Sequence, residues 1–186
     1  IGDVLFGAVN PGGKLTMTFP KSVGQIPLYY AHKNTGRPLK EGKWFEKFRS
    51  NYLDVDNDAL YPFGYGLSYT TFRFSDITLN RSSIGMDNEL VASVTVTNTG
   101  DRAGSEVVQL YIRDLVGSVT RPVKELKGFE KIYLQPNESR TVRFTIAPEM
   151  LKFYNADLKF VAEPGDFDVM IGPDSRNVKT ARFTLH

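Results

Sequence analysis

Apolar and polar residues alternate through most of the second half of the chain, which is typical of β-strands that bury one face. Clusters of turn-forming residues, such as Asn-Thr-Gly-Asp and Gln-Pro-Asn-Glu, separate the alternating stretches. The pattern therefore predicts a series of short strands. These predicted strands are Arg73–Asn80, Glu89–Asn98, Glu106–Asp114, Lys124–Leu134, Ser139–Ala147, Asp166–Gly172 and Val178–His186.

One predicted strand, Lys124–Leu134, contains Gly128, and a glycine inside a strand indicates a bulge or a bend. Six or seven short strands separated by turns, without a cysteine pair, are typical of a sandwich of two sheets. The fold class predicted for residues 73–186 is therefore mainly β, a fibronectin type III or immunoglobulin-like β-sandwich.

The first 72 residues have a different character, because Pro, Gly and aromatic residues dominate and periodicity is weak. Ile1–Val9 is predicted to be the end of an amphipathic helix, and Lys14–Phe19 a short strand that Pro20 stops. From Ser22 to Asn57 the residues predict mostly loop, far longer than the usual loop of about 4–6 residues. We expect so long a loop either to be functional or to pack against something outside this chain.

Composition narrows the classes of function. The chain has 41% hydrophobic and 24% charged residues, close to the averages of globular proteins. Its net charge of +2 is small and its basic residues are scattered, which argues against nucleic-acid binding. No apolar run approaches the roughly 20 residues that span a bilayer. The absence of cysteine excludes disulfides, thiolate catalysis and cysteine-based zinc sites.

The most distinctive motif is Leu60–Phe72, with the sequence LYPFGYGLSYTTF. Gly64 and Gly66 supply a Gly-x-Gly pair, but a dinucleotide-binding loop needs a third glycine where Tyr69 stands. The motif also precedes a predicted strand, so it offers no helix N-terminus to a phosphate. We expect the motif to be structural: its glycines allow a tight turn, and its aromatic residues bury area between two parts of the chain.

Few residues suggest chemistry. His32 and His186 are the only histidines, which leaves at most one plausible base for a Ser-His-Asp triad. The acidic stretch Asp54–Ala59 opens like a calcium loop but lacks the required Gly and Glu, so it is expected to be solvated or to pair with Arg49. Trp44 beside Phe45 has two interpretations, a ring that stacks on a sugar or an anchor into a neighbouring surface.

Four stretches together resemble the C-terminal end of glycoside hydrolase family 3, the β-glucosidase and β-xylosidase family. Two resemble the end of the family's α/β sandwich domain and the loop that follows it, and the other two resemble the segment that leads into its fibronectin-like domain and that domain's own strands. They are GDVLFGAVNPGGKLTMTFP (Gly2–Pro20), IPLYYAHKNTGRP (Ile26–Pro38), FRSNYLDVDNDALYPFGYGLSYTTF (Phe48–Phe72) and VTNTGDRAGSEVVQLYIRD with RPVKELKGFEKIYL. The resemblance covers essentially the whole chain.

The resemblance implies two domains, 1–72 as the loop-rich C-terminal tail of an α/β sandwich domain with a linker, and 73–186 as the fibronectin type III-like sandwich. Family members are retaining glycosidases with an Asp nucleophile and a Glu acid/base, and both lie upstream of the matched segments. The resemblance therefore implies no catalytic residue, metal or cofactor in this chain. It also implies a periplasmic or secreted location. The start of the chain, without an initiator Met or a basic-then-apolar leader, is typical of the interior of a longer polypeptide or of a shortened product.

Two expectations about partners follow. Aromatic side chains of the first 72 residues should be unusually exposed, because their partners are the upstream domains of the same polypeptide; these residues are Tyr29, Tyr30, Trp44, Phe45 and Tyr61. The loop Lys33–Asp54 is a candidate to reach a glycoside substrate, with Arg37, Trp44 and Arg49 as substrate-binding candidates. For these three residues, packing and ion pairs at a domain interface are the alternative role.

A different class of function stays open, an independent carbohydrate-binding or adhesion module. Such a module needs a row of exposed aromatic residues on one face of the sandwich. The alternation assigns the aromatic residues after Phe72 to the core or leaves their placement open; they are Phe74, Tyr111, Phe129, Phe144 and Phe167.

Overall fold

The structure, a computed structural model, describes residues 1–39 and 42–186. Lys40 and Glu41, which fall inside the loop predicted from Ser22 to Asn57, lie outside the described residues. The helical elements are α1, a short α-helix at Gly2–Leu5, and two 3-10 helices at Val23–Gln25 and Pro148–Leu151. The strands are β1 Phe72–Phe74, β2 Thr78–Leu79, β3 Ser83–Ile84, β4 Leu90–Asn98, β5 Gly104–Asp114, β6 Glu125–Leu134, β7 Ser139–Ile146, β8 Phe153–Tyr154, β9 Phe160–Val161, β10 Gly165–Gly172 and β11 Lys179–Leu185.

Two sheets form the sandwich. In one sheet β4 is central, with β7 along one edge and both β1 and β2 along the other. The second sheet has the order β3-β11-β10-β5-β6 and is antiparallel except where β3 pairs with β11. A small hairpin joins β8 to β9. The fold class predicted from the alternation, a mainly β sandwich, is confirmed.

The core forms because alternate residues of each strand face inward. Strand β4 is the clearest case, because the buried positions of LVASVTVTN alternate strictly with half-buried ones, where mainly Ser and Thr lie. Inward side chains from both sheets meet in one hydrophobic cluster. Fully buried members of the cluster include Leu90, Val94, Val96, Leu110, Ile132, Leu134, Ile146, Phe167, Ile171, Phe183 and Leu185.

Several predicted elements are found and others need correction. A register shift opposite Leu110 and Tyr111 confirms the irregularity expected at Gly128. The strand predicted at Arg73–Asn80 is split into β1 and β2, because the Ser75 hydroxyl accepts the Thr95 N–H at 2.9 Å in place of a backbone carbonyl. The hairpin β8–β9 was not predicted, because its strands are too short to show alternation.

The tail, which we define as residues 1–71, is loop-rich as expected. The predicted strand Lys14–Phe19 is wrong, because a bend at Thr16–Met17 leaves only an isolated bridge between Phe19 and Tyr61. The predicted helix Ile1–Val9 shrinks to α1, and Gly7 follows it in the left-handed conformation with φ of 78°.

The seam, which we define as the contact between the tail and residues 72–186, is built on the motif Leu60–Phe72. Gly64 has φ of 81°, and an added Cβ there would lie 2.1 Å from Oε1 of Gln109. Within the tail, an added Cβ at Gly66 would lie 2.4 Å from the carbonyl oxygen of Gly13. Both positions therefore require glycine, which agrees with the structural role predicted for the motif.

Polar side chains also cross the seam. The Lys14 ammonium lies 2.6 Å from the Glu106 carboxylate. The Asn10 amide donates to the carbonyl of Ala103 at 3.0 Å. The Thr70 hydroxyl donates at 2.6 Å to Asn98, whose own amide donates to two carbonyls of the sandwich. These contacts hold the tail on one end and one face of the sandwich.

Candidate functional site

The candidate loop, which we call the aromatic loop and define as residues 33–39 and 42–54, closes on itself at its base. The Ser50 N–H donates to the Arg37 carbonyl at 2.9 Å, and the Thr35 hydroxyl donates to the Ser50 hydroxyl at 2.7 Å. Pro38 and Ser50 form a parallel bridge. The loop is therefore a defined excursion whose two ends lie side by side.

The three candidate substrate-binding residues are all exposed on this loop. Trp44 is 59% exposed. Arg49 pairs with Glu46, with 3.1 Å between Nε and Oε1, and the Arg37 side chain faces solvent. Among residues 1–39 and 42–186, no hydrogen bond, ion pair or ring contact joins any two of Arg37, Trp44 and Arg49. The structure thus places them on one loop without bringing their side chains together.

Another exposed aromatic side chain on the loop, Phe48, was not singled out from the sequence. It is 72% exposed and has φ of 67°, a conformation that bulky L-residues rarely adopt. The Lys47 ammonium lies 5.0 Å from the centre of its ring. With Trp44 and Phe45, Phe48 makes the loop a strongly aromatic protrusion. An exposed group of this kind is typical of a contact surface.

The five aromatic residues expected to be exposed behave alike with one exception. Tyr29, Trp44, Phe45 and Tyr61 are between 40% and 59% exposed, as predicted. Tyr30 is partly buried instead. Its ring stacks on Phe63 at 4.4 Å and lies edge-on to Tyr111 at 5.7 Å. Tyr30 is therefore an anchor within this chain, because it fills the space above strand β5.

The acidic stretch Asp54–Ala59 does not pair with Arg49. The Lys21 ammonium instead lies 2.7 Å from both carboxylate oxygens of Asp56. This hydrogen bond from Lys21 lowers the pKa of Asp56, and burial opposes the shift. Arg49 pairs with Glu46 instead, so the expected pairing of Arg49 with the acidic stretch is wrong. Within the part of the chain that the structure describes, no group of three or more His, Asp or Glu residues is placed to hold a metal ion.

Gln25 supports the acidic stretch and is completely buried. Its amide donates to the carbonyls of Asp56 and Asp58 at 2.8 and 3.2 Å, and its side-chain oxygen accepts the Lys21 N–H at 2.6 Å. The sequence carried one signal for this role, because Ser22-Val-Gly-Gln25 fits the capping-box pattern. Gln25 thus fixes the chain on both sides of the aromatic loop.

The aromatic residues of the sandwich were expected in the core or left open. Phe167 is buried in the core, while Phe74 and Phe144 pack against it. Phe129 is 69% exposed, on the outer side of the edge strand β6. Tyr111 is fully buried beneath the tail, and this burial raises the pKa of its hydroxyl. On the described strands of the second sheet, Phe129 and Tyr133 are the only exposed rings. They do not make the row of rings that a carbohydrate-binding face needs.

Two family models match the chain. The model described as Glycosyl hydrolase family 3 C-terminal domain matches residues 1–69, and the model described as Fibronectin type III-like domain matches residues 106–175. Within the described residues, no helix has the length and apolar character needed to cross a membrane.

Individual relatives agree with these matches. The periplasmic beta-glucosidase of Salmonella typhimurium is 56% identical over 185 residues, which is 100% of this chain and 24% of that protein. A putative beta-xylosidase of Formosa agariphila is 47% identical over 98% of this chain and 23% of its own length. The crystal structure of a beta-glucosidase from Listeria innocua in complex with glucose superposes with a TM-score of 0.93 at 44% identity, over 98% of this chain and 25% of that one. The chain thus spans about a quarter of the length of the curated relatives it matches.

Proposed function

The chain belongs to glycoside hydrolase family 3, and from this we propose that it serves as the C-terminal, non-catalytic accessory region of a β-glucosidase-like enzyme. The complete enzyme would hydrolyse terminal β-glycosidic bonds with retention of configuration. The two-domain division at residue 72 is part of this proposal. The observation that carries it is the match of nearly the whole chain to a quarter of several β-glucosidases.

The exposure of the tail supports an accessory role. Apolar side chains of the tail lie open to solvent instead of forming a core of their own. Examples are Leu5, Phe6, Met17, Val23, Tyr29, Trp44, Phe45, Leu53 and Leu60. Covering such side chains is favourable by about 25 cal/mol per Å² of apolar area removed from water. The upstream domains of the same polypeptide are the proposed cover.

A hydrolysis assay tests the catalytic part of the proposal. The 186-residue chain and the product of the complete reading frame would be assayed on aryl β-glucosides and aryl β-xylosides. We expect turnover by the complete product and none by the chain alone. Turnover by the chain alone that a single substitution within it abolishes would overturn the proposal, whereas turnover that no such substitution changes identifies a contaminant.

The aromatic loop is the part of the chain that we propose to face the glycoside substrate. Trp44 offers a ring for stacking on a sugar, and Arg37 and Arg49 offer donors to hydroxyl groups. In the alternative, the same side chains pack against the upstream domains. Alanine variants of the complete enzyme separate the two roles, because lost substrate contacts raise KM for oligosaccharides, while lost packing lowers the temperature of unfolding.

A periplasmic location is part of the same proposal. It is supported by the periplasmic beta-glucosidase of Salmonella typhimurium, which is 56% identical to this chain. Fractionation of the native host is the test, with the activity expected in the osmotic-shock fluid. Activity confined to the cytoplasmic fraction would contradict the location without affecting the enzymatic proposal.

A further inference from the structure

A hairpin loop, residues 115–124, joins β5 to β6 and contacts the tail just before the aromatic loop. We call this hairpin loop the crossover. The Val123 N–H donates to the His32 carbonyl at 2.9 Å. Pro122 and Lys33 form an isolated antiparallel bridge. The crossover thus provides the backbone partner for the residues at which the aromatic loop begins.

On its other side the crossover is fixed to the sandwich by Arg121. Nη2 of Arg121 donates to Oε2 of Glu125 at 2.7 Å, and Nε lies 3.8 Å from Oδ2 of Asp114. The guanidinium carbon lies 4.2 Å from the centre of the Phe153 ring. The Arg121 side chain is only 14% exposed. A planar guanidinium can serve two carboxylates and an aromatic face at once, which a lysine ammonium cannot do.

A second attachment restrains the early part of the crossover. The N–H and hydroxyl of Ser118 both donate to the Glu163 carboxylate, at 2.8 and 2.5 Å. The Val116 N–H donates to Asp114 at 3.2 Å. These bonds place the start of the crossover, and the Lys124 ammonium donates to the Ser175 carbonyl at 2.6 Å near its end. Arg121 is the anchor that directly precedes Pro122. Because the Pro122 ring fixes its own φ, few rotatable bonds lie between the Arg121 side chain and the bridge to Lys33.

We propose that Arg121 is a positioning residue for the aromatic loop: by holding the crossover on the sandwich, it sets where the loop begins and hence where Trp44 lies. This inference rests on the proposed function, in which the aromatic loop faces the glycoside substrate. The loop follows the movement of its first residues because Ser50 bonds back to Thr35 and Arg37. The β-sandwich would then contribute to substrate recognition without touching the substrate.

Hydrogen exchange on the 186-residue chain tests the positioning itself. In Arg121→Gln we expect amides of residues 33–39 and 42–54 to exchange roughly tenfold faster or more, because a charge-assisted hydrogen bond to Glu125 is lost. Amides of β4 and β7 should keep their protection. Arg121→Lys retains the positive charge but neither the planar fork nor the stacking on Phe153. Its rate of loop exchange should lie between that of the native chain and that of Arg121→Gln. The matched control is Arg140→Gln, an exposed arginine 4.0 Å from Glu138.

A second variant keeps the test decisive if Arg121→Gln fails to fold. Val123→Pro removes the N–H that bonds to His32 and leaves Arg121 in place. It should speed exchange in the aromatic loop as Arg121→Gln does. Unchanged exchange in the loop, while amides of the crossover exchange faster, would show that the two segments are uncoupled and would overturn the inference.

The complete enzyme distinguishes failure of the inference from failure of the proposed function. If the loop faces substrate, Arg121→Gln should raise KM for oligosaccharides several-fold with little change in kcat for an aryl glucoside. Faster loop exchange with unchanged KM would support positioning by Arg121 and contradict the substrate-facing role of the loop. A raised KM with unchanged loop exchange would overturn the positioning inference alone.

Discussion

The side-chain amide of Gln109, on strand β5, donates a hydrogen bond of 3.2 Å to the carbonyl of Gly64, in the tail. The same amide donates to the Pro173 carbonyl, and its oxygen accepts the Tyr111 hydroxyl, both at 2.5 Å. Gln109 is only 3% exposed. Both parts of this buried amide therefore have partners, and they join the tail to the sandwich through one polar group.

Replacement of Gly64 is predicted to loosen the seam. In Gly64→Ala the new Cβ meets the Gln109 amide, and alanine must adopt a φ of 81°. We expect the free energy of unfolding to fall by about 2 kcal/mol or more, the combined cost of left-handed backbone and a displaced hydrogen bond. Urea unfolding measures the change. Gly13→Ala is the matched control, because an added Cβ there meets nothing within 4 Å. Equal losses in the two variants would contradict the role of the Gly64 contact.

Truncation of Gln109 should also destabilise the chain. Gln109→Ala leaves the carbonyls of Gly64 and Pro173 and the hydroxyl of Tyr111 without this buried partner. The expected loss is about 1–3 kcal/mol, the usual cost of an unsatisfied buried group. Thermal unfolding is the measurement, with the exposed Gln135→Ala as control. If Gln109→Ala lost less stability than Gln135→Ala, water would be replacing the Gln109 amide at no cost in free energy.

Asp114 is predicted to make stability depend on pH in the direction opposite to most carboxylates. Burial raises its pKa, and the bond from Val116 and the charge of Arg121 oppose the shift only in part. A raised folded-state pKa gives stability that is full below the unfolded value and is lost as the pH rises through the folded value. The advantage of the native chain over Asp114→Asn should therefore shrink as the pH rises through that window.

The measurement for Asp114 is a series of urea midpoints from about pH 4 to pH 8, chosen because the ordinary pKa of aspartate is about 3.9. Asp157→Asn, which alters an exposed carboxylate, serves as the reference. If the advantage of the native chain over Asp114→Asn instead grew with pH, the ion pair with Arg121 would outweigh burial.

Trp44 gives a direct optical test of the open tail, because it is the only tryptophan in the chain. At 59% exposure, its fluorescence in the native chain should be quenched by acrylamide at more than half the rate seen in urea. In the complete polypeptide, with the signal of its Trp44→Phe variant subtracted, the quenching of Trp44 should fall, because the proposed upstream domains or substrate cover the loop. Equal quenching of Trp44 in both proteins would argue that neither the upstream domains nor the substrate covers the loop.

The sandwich was predictable from sequence because its information is local. In β4 the apolar or polar character of each residue indicates which face of the strand it lies on. Gly, Pro, Asn and Asp mark the turns between strands. The tail carried no comparable signal. Its Phe19 pairs with Tyr61 and its Tyr30 fills a space beside Tyr111, contacts that depend on distant parts of the chain. The candidate residues could be named by type, but their separation on the loop could not be read from spacing.

The hydrogen bonds of Asn98 and Gln109 to the tail also bear on how such a chain can be inherited. A recombination event between the codons for residues 71 and 72 would join this tail to a foreign sandwich that lacks both amides. The tail would lose the partners of Thr70 and Gly64 at once, while many apolar side chains of its described residues already lie open to solvent. Selection would then retain the two segments as one genetic block.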